Sequence, residues 1–395
     1  MKINRTLTEA IRMEIFEDIY DRFEESKLSC DEAASLLGCS VRHFLRLRGA
    51  YDEEGLRGLA DGRVGKASPR RAGRAEVKRV IRLYQTKYKG FSVRHFHEFA
   101  TREHGVKRGY DWTRGVLAEA GLVTPRKRGG AHRLRRPRRP MAGMMIHQDA
   151  SKHIWFGEDY CDLVVTLDDA TSEITSAFFC EEEGTASSMK GVLETIAKHG
   201  LFCSLYTDRG SHYWFTPEAG GKVDKERLTQ VGRALKQLGI EHIAAYSPEA
   251  RGRSERMFGT LQNRLVKELA RKGITTMSDA NRYLQDIYLP RHNQRFMVTP
   301  ESGESAYVPT VGLDIPNILC IQEQRVVGHD NTVHYQGRIL QIPPSPHRHH
   351  FVKAQVRVHH YPDGAMAVFH GPRAIGKYNQ NGQPQPTGKE IKTAA

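Results

Sequence analysis

Apolar residues follow helical spacing in the first third of the chain, strand-like runs in the middle and short β-forming runs towards the end. The series from Ile11 to Phe23 predicts a first helix. Ser29 and Ser40 stand where the N-caps of two short helices are expected, with Gly38 in the turn between them. Two short helices joined by a glycine turn predict a helix-turn-helix domain within residues 1–60.

The second helix of this pair has a basic side. We expect Phe44 and Leu45 to face inward, and Arg42, His43 and Arg46 to face outward, where they would suit phosphates and base edges in a major groove. The alternative is an ordinary helical hairpin with a solvated basic face.

The region after this domain changes character twice. Residues 61–74 lack periodicity and are rich in Gly and Arg, so we predict a linker. Helical periodicity returns over residues 75–125 and predicts a second helical DNA-binding domain. Four residues of that domain are expected to face outward as DNA contacts: Lys107, Arg108, Thr113 and Arg114.

A strongly basic run follows. It has eight Lys or Arg residues between Arg126 and Pro140, and no acid. Such a run cannot form a packed core, so residues 126–142 are predicted to be a basic linker that contacts the DNA backbone rather than a solvated segment that binds nothing. The candidate contacts are Arg126, Lys127, Arg128, Arg135, Arg136, Arg138 and Arg139.

The middle of the chain alternates strands and helices. Three successive strands are predicted within residues 144–179, and the order continues as helix, strand, helix, strand, helix. This order predicts a mixed sheet covered by helices over residues 143–300, within a multidomain α/β protein.

Short β-forming runs separated by turns occupy residues 310–376 and predict a small β-barrel domain. Residues 377–395 are polar and rich in Gly, Pro and Gln, so a disordered tail is expected.

Charge narrows the range of partners. The chain has 395 residues and a net charge of +14, which favours binding to a polyanion such as nucleic acid. Its six cysteines are dispersed, so the sequence supports neither a disulfide framework nor a thiolate zinc site. Without a signal peptide or a long apolar stretch, the sequence predicts a cytoplasmic protein with no membrane partner.

Residues 247–269 form the most informative stretch. Phe258, Leu261, Leu265 and Leu269 recur at the spacing of one helix face. Glu255 lies three positions before Phe258, so we place it on the same buried stripe, where a metal ion could compensate its charge. The alternative is a solvent-exposed Glu in the first turn, favoured by the helix dipole.

Two further acids stand at predicted strand ends, namely Asp149 and Asp208. With Glu255 they form a set of oxygen donors suited to Mg2+. Two divalent ions held about 4 Å apart activate the nucleophile, stabilise the leaving oxygen and neutralise charge in phosphodiester chemistry. The three acids therefore indicate metal-dependent chemistry on nucleic acid.

Other residues near these acids have competing interpretations. Asp168 and Asp169 lie between two predicted strands and are interpreted as turn residues. Arg251 and Arg253 are candidate DNA contacts, with simple surface exposure as the alternative. Trp214 and Phe215 would either stack on a displaced base or, as we favour, pack their loop onto the domain.

At three places the chain resembles the integrase-type, ribonuclease-H-like core of DDE transposases and retroviral integrases. The matching residues are Asp149, Asp208 within the run Tyr206 to Ser211, and Glu255 within the run Ser247 to Glu255. The whole plan resembles bacterial insertion-sequence transposases, including the ISNCY group. The last two acids are 47 positions apart, longer than in the commonest form of the family, and the extra length falls in residues 212–225.

The resemblance implies a DNA transposase, a polynucleotidyl transferase that binds the terminal inverted repeats of an insertion sequence and catalyses strand cleavage and strand transfer. It implies that Asp149, Asp208 and Glu255 are catalytic and hold two Mg2+ ions, with Mn2+ as a substitute. The expected partners are double-stranded DNA, as element ends and target, and further copies in a homodimer or higher homo-oligomer. Two alternatives remain: a catalytically inactive DNA-binding regulator, and a structure-specific nuclease of the same fold.

Overall fold

The computed structural model describes residues 5–60, 71–124, 137–218, 221–246, 248–345 and 348–386. The chain divides into two compact units, Met1–Arg79 and Val80–Ala395. Within the described residues, none of the helices combines the length and the apolar composition that crossing a membrane requires.

The first unit is helical. It contains α1 (Arg5–Glu24), α2 (Cys30–Leu36), α3 (Val41–Glu54) and a 3-10 turn (Gly55–Leu59). Ser29 caps α2 in a capping box with Glu32, and Ser40 caps α3, so both predicted caps are confirmed. Gly38, with φ of +61°, allows the chain to turn sharply between them. The helices pack around a small core of Phe16, Ile19, Ala33, Ala34 and Phe44.

The exposed side of α3 differs from expectation at one position. Arg42, His43 and Arg46 are exposed as predicted. Leu45, predicted to face inward, is 45% exposed, because Phe44 already fills the space against α1. The use of this surface for DNA recognition stays a prediction.

The second unit begins with three helices and continues into a mixed sheet. Its first helices are α4 (Arg74–Lys87, which contains the boundary between the units), α5 (Val93–His104) and α6 (Tyr110–Glu119). The sheet region contains β1 (Ile146–His153), β2 (Cys161–Asp168), β3 (Ile174–Cys180), α7 (Thr185–His199), β4 (Ser204–Thr207), α8 (Gln230–Gln237), β5 (Glu241–Ala244) and α9 (Pro248–Lys272). The predicted order of strands and helices is confirmed.

The five strands are arranged in the order β3-β2-β1-β4-β5. The first three strands are antiparallel to one another, whereas β4 runs parallel to β1, and β5 parallel to β4. Helices cover both faces. One face packs against α9 through Leu261, Leu265 and Leu269, and the other packs against α7 and α8. This is the mixed α/β sheet that the sequence predicts.

The helix predicted over residues 279–292 is divided into three segments. They are α10 (Met277–Tyr283), a π-helical turn (Leu284–Tyr288) and α11 (Leu289–Phe296), which pack on the same face as α9. A short helix α12 (Ile315–Ile318) leads to the final strands.

The C-terminal region is an open sheet. Its strands are β6 (Ile321–Val326), β7 (Thr332–Tyr335), β8 (Arg338–Gln341), β9 (Gln355–His360), β10 (Met366–His370), β11 (Arg373–Tyr378) and β12 (Pro384–Gln385). Five of them pair in the order β12-β11-β10-β9-β6, and β7 pairs with β8 alone. In the part of the chain that is described, the edge strands β6 and β12 do not pair, so the predicted closed barrel is wrong.

The predicted tail is also partly wrong. Residues 377–386 belong to or follow the sheet, because Lys377 and Tyr378 pair with Gln385 and Pro384. Residues 387–395 lie outside the described part of the chain.

Candidate active site

Asp149 and Asp208 stand at the same level of neighbouring strands. The parallel pairing of β1 with β4 matches Ile146 with Leu205 and His147 with Tyr206. Continued by two residues, the same register brings Asp149 level with Asp208, with backbones about 5 Å apart. The first two candidate acids are therefore neighbours, although 59 positions separate them in the sequence.

The two acids share one face of the sheet. Asp149 is paired across the strands with Val165, whose side chain belongs to the apolar cluster that contains Leu261 of α9. Asp208 follows Tyr206 by two positions, and the Tyr206 ring lies 5.0 Å from the ring of His147. Because side chains alternate along a strand, His147 and Asp149 face the side covered by α9, and the Tyr206 ring lies beside His147 on that side. Asp208 directly follows the last residue of β4, and the same alternation continued by one residue would place it there too.

Helix α9 runs alongside β1. At one end, the guanidinium of Arg253 contacts the Asp169 carboxylate, which also contacts His147. At the other end, Gln262 Nε2 donates to Ser151 Oγ at 3.0 Å. Nine helical positions rise by about 13.5 Å and four strand positions by about 13 Å, so the two elements span nearly the same distance between these contacts. On this scale Glu255 lies about 3 Å along the helix from Arg253, and Asp149 about 7 Å along the strand from His147, so their levels differ by about 4 Å.

Glu255 itself is exposed, so its predicted place on the buried stripe is wrong. The buried positions of the first turns are Ser254, Met257 and Phe258. Glu255 is adjacent to that stripe, on the edge that faces solvent, where a carboxylate keeps its hydration.

The donor chemistry of the three acids fits a hard divalent cation. Each offers carboxylate oxygens, the ligands that Mg2+ prefers, and neither Asp149 nor Asp208 is fully buried. Backbone amides orient both aspartates, since Ala150 N donates to Asp149 Oδ1 at 3.1 Å and Gly210 N donates to Asp208 Oδ1 at 2.9 Å. Within the described ranges, no three His, Cys, Asp or Glu side chains converge as a ready metal site. The acids share a face without forming one coordination sphere.

Asp169 forms a buried ionic centre beside these acids. Its Oδ1 lies 2.7 Å from His147 Nε2 and 2.5 Å from Arg253 Nη1, and its side chain is 0% exposed. Its Oδ2 accepts from the backbone N–H of Arg139 at 2.8 Å. Burial alone would raise the pKa of this carboxyl, but the hydrogen bonds and the charges of His147 and Arg253 lower the pKa to about 2. Asp169 is therefore a buried carboxylate anion.

Sequence reasoning missed this centre. Asp169 follows a strand directly, and that position suggested a turn. The turn role belongs to Asp168, whose Oδ1 accepts from the backbone N–H of Thr171 at 2.8 Å. One signal was present, because His147 precedes Asp149 by two positions, and strand alternation places both on one face.

Two of the predicted DNA-contacting arginines are engaged within the protein. Arg253 is 11% exposed and donates to the backbone carbonyl of Asp169 at 2.8 Å as well as to its carboxylate. Arg138 Nη1 donates to the carbonyl of Asp169 and to Ser172 Oγ, each at 2.8 Å. These guanidinium groups stabilise the turn after β2, so Arg253 is not the freely exposed residue of the alternative interpretation, and its contact with DNA stays a prediction.

The other predicted contacts have mixed placements. Lys107 and Arg114 are exposed, and Arg108 is partly exposed. Thr113 is wrongly predicted to face outward, because it is 0% exposed and its hydroxyl donates to the carbonyl of Gly109 at 3.2 Å. The following candidates lie outside the described residues: Arg126, Lys127, Arg128, Arg135 and Arg136. The side chain of Arg251 is likewise outside the described part.

The aromatic pair in the extra segment packs onto the sheet domain. Trp214 is 5% exposed, stacks on the His242 ring at 3.8 Å and donates to Thr207 Oγ1 at 3.1 Å. Phe215 lies beneath the guanidinium of Arg227, 3.8 Å from the ring centroid. These contacts support the packing interpretation for Trp214.

The second helical region is docked on α9. Arg264 donates two hydrogen bonds, of 2.7 and 2.8 Å, to the Glu98 carboxylate of α5. Arg295 of α11 contacts the same carboxylate at 2.7 Å. Glu268 of α9 is bound by His95 at 2.9 Å and by the Tyr283 hydroxyl at 2.7 Å. One side of α5 is therefore buried against the sheet domain.

The candidate site is an acidic face on a mixed α/β sheet. The proteins to which the chain is similar in sequence belong to the class that its sequence resembles. The chain is 28% identical over 361 residues to y4bF of Sinorhizobium fredii, a protein named as a transposase, covering 90% of this chain and 78% of that protein. It is 29% identical over 357 residues to the transposase for insertion sequence IS1202 of Streptococcus pneumoniae, covering 80% of this chain and 74% of that protein. The resemblance to insertion-sequence transposases is confirmed over most of the chain.

Solved structures give weaker matches. A simian T-cell lymphotropic virus intasome in complex with a PP2A regulatory subunit aligns with 72% of this chain and 95% of its own, at 15% identity and a TM-score of 0.34. The HTLV-2 integrase catalytic core domain in complex with magnesium aligns with 41% of this chain and 93% of its own, at 16% identity and a TM-score of 0.31. Such scores do not establish a shared fold. No family model matches the chain.

Proposed function

We propose that this chain is a DDE transposase with a ribonuclease-H-like catalytic core. The observation that carries the proposal is the parallel pairing of β1 with β4, whose register, continued by two residues, would put Asp149 beside Asp208 on the face that is covered by α9, the helix of Glu255. The strand order β3-β2-β1-β4-β5, with three antiparallel strands followed by two parallel ones, fits such a core. Similarity to two transposases over most of the chain supports the same class.

Asp149, Asp208 and Glu255 would hold the divalent ions. Bound Mg2+ supplies activation of the attacking oxygen and neutralisation of the charge on the phosphate. The chain itself would fix the spacing of the carboxylates, because two belong to neighbouring strands and the third to a helix anchored by Leu261 and Leu265.

The reaction would proceed in two displacements at phosphorus. Hydrolysis of one phosphodiester at the element end leaves a 3′ hydroxyl. That hydroxyl then attacks a phosphodiester of target DNA, forming one P–O bond as another breaks. Element ends would be recognised by the helical regions, including the exposed Arg42, Arg46, Lys107 and Arg114. Two ends require at least two copies of the chain in the active complex.

The proposal is tested with the full chain and duplex DNA that carries the terminal repeats of its own element. Mg2+ should produce cleaved ends with a 3′ hydroxyl and joined products on a denaturing gel, and Asp149→Asn should abolish both. Cleavage of DNA without repeats and no joining would indicate a structure-specific nuclease. Specific binding without cleavage, unchanged by Asp149→Asn, would indicate a DNA-binding regulator.

A further inference from the structure

We propose that Asp169 is the positioning residue of the acidic face, acting through His147 on the strand that carries Asp149 and through Arg253 on the helix that carries Glu255. This inference rests on the proposed function, because it assigns a task to residues behind the candidate metal ligands. Neither His147 nor Arg253 needs to touch DNA or metal for this task.

Asp169 connects the strand that carries Asp149 to the helix that carries Glu255. His147 precedes Asp149 by two positions on β1, and Arg253 precedes Glu255 by two positions on α9. Both partners meet at one atom, Asp169 Oδ1, at 2.7 and 2.5 Å. The carboxylate therefore joins β1, on which His147 and Asp149 share a face, to the first turns of α9, on which Arg253 and Glu255 lie at opposite edges of the buried stripe.

Moving His147 or Arg253 away from Asp169 is energetically costly. Asp169 is 0% exposed and Arg253 is 11% exposed, so separating them would leave charges in a poorly solvated place. The opposite oxygen is held by the backbone N–H of Arg139, and the backbone N–H of Asp169 donates to the carbonyl of Met145 at 2.9 Å. The carboxylate is consequently fixed on the sheet, and α9 must adjust to it.

The first turns of α9 contact the sheet through an ion pair. The apolar anchors Leu261, Leu265 and Leu269 lie further along the helix and are fully buried. In the first turns, Arg253 supplies an ionic attachment to the sheet, with two contacts from a single nitrogen, one to the carboxylate and one to the carbonyl of Asp169. Together with the buried side chains of Met257 and Phe258, this attachment fixes the rotation of the helix about its axis, which determines where Glu255 points.

Arg138 and Arg139 add a connection to the basic segment. Both are bound to Asp169, one through its side chain and the other through its backbone N–H. The end of the segment predicted to follow DNA is thus attached to the residue that positions the acids.

The test compares Asp169→Asn and Arg253→Gln with Glu98→Gln. Glu98 is a matched control, because it is also an acid paired with an arginine of α9, Arg264, but eleven positions further along the helix than Arg253. Two quantities are measured on the full chain: the Mg2+ concentration for half-maximal cleavage of element-end DNA, and hydrogen exchange of the amides of residues 252–260 without DNA.

We expect Asp169→Asn and Arg253→Gln to raise the required Mg2+ concentration about tenfold or more, the usual effect of losing a residue behind a metal ligand. The same variants should exchange amides 252–260 faster. Arg253→Lys should recover part of both effects, since one ammonium nitrogen can replace the single nitrogen that makes both contacts. Glu98→Gln should leave the Mg2+ requirement unchanged and speed exchange near residues 264–272 instead.

The inference is overturned if all three losses lower the melting temperature while the Mg2+ requirement and the exchange of residues 252–260 stay at wild-type values. That result would make Asp169 a purely structural residue. A wild-type chain that neither cleaves nor joins DNA would instead contradict the proposed function, whatever the exchange data show.

Discussion

The two halves of α9 use the same chemistry for different purposes. In the first half, Arg253 pairs with Asp169, which belongs to the sheet. In the second half, Arg264 pairs with Glu98, which belongs to α5. The first pair lies two positions from a candidate metal ligand, whereas the second joins two structural elements far from any candidate acid. A buried ion pair therefore indicates a site only through the neighbours that it fixes.

The largest difference between the two halves of α9 is expected when one carboxylate is removed from each half. Glu255→Gln should reduce strand cleavage by more than about a hundredfold, beyond the loss expected for residues behind the ligands. Glu268→Gln should still cleave, because Glu268 is buried against His95 and Tyr283, thirteen positions beyond Glu255 on the helix. Single-turnover cleavage of element-end DNA measures both, and equal losses in the two variants would contradict the division of the helix.

Removing the docking carboxylate tests the second half alone. Glu98→Ala leaves Arg264 and Arg295 without their shared acceptor, and we expect the free energy of unfolding to fall by about 3 kcal/mol. Denaturant titration followed by circular dichroism measures the change. A loss below the error of the titration would show that α5 is held by apolar contacts alone.

Low pH should weaken the ion pair between Asp169 and Arg253 in the first half of α9, over a defined pH range. The pKa of Asp169 is about 2 in the folded chain against 3.8 for an ordinary aspartate, so its contribution is complete above pH 4 and is lost as the pH falls towards 2. The difference in unfolding free energy between wild type and Asp169→Asn should shrink by about 2 kcal/mol over that range. A difference that is independent of pH between 4 and 2 would contradict the ionised, paired state.

The smallest expected effect concerns the contact between the middle of α9 and β1. Gln262→Ala removes the hydrogen bond to Ser151 that keeps α9 in register with β1. A loss of about 1 kcal/mol in unfolding free energy is expected, the usual value for one such bond. Thermal unfolding at constant pH measures it, with Gln285→Ala, which removes a hydrogen bond to the carbonyl of Ala177 elsewhere on this face, as the control. If this hydrogen bond sets the register of α9 on β1, only Gln262→Ala should also slow cleavage of element-end DNA.

The helices, the strands of the mixed sheet and the association of Asp149 and Asp208 with strands were predictable because their signals are local. Capping serines, alternation along β1 and the apolar spacing in α9 each depend on a few neighbouring residues. The order of elements then brought Asp149 and Asp208 to one level once β1 and β4 paired. Matching to a known family extended this to a function, and two transposases similar over most of the chain agree with it.

The wrong predictions concern features that depend on residues distant in the sequence. Thr113 was expected outside, but packing in its helical region buries it. The barrel was expected to close, but β6 and β12 remain at opposite edges of the sheet. Local patterns predict the periodicity of an element. They do not predict which of its sides will pack against another element.

The sequence by itself determined which elements form and that Asp149 and Asp208 lie on or directly after strands, since those depend on short-range spacing. Asp149 lies within β1, whereas the sequence predicts it at a strand end. Only the tertiary structure decided that Asp169 joins His147 to Arg253, because its partners are 22 positions before it and 84 positions after it. It also decided that Glu255 lies at the exposed edge of its stripe and that α5 is docked on α9. Desolvation explains the difference: whether a charged residue is buried or hydrated depends on what packs over it, and spacing along the chain does not specify that.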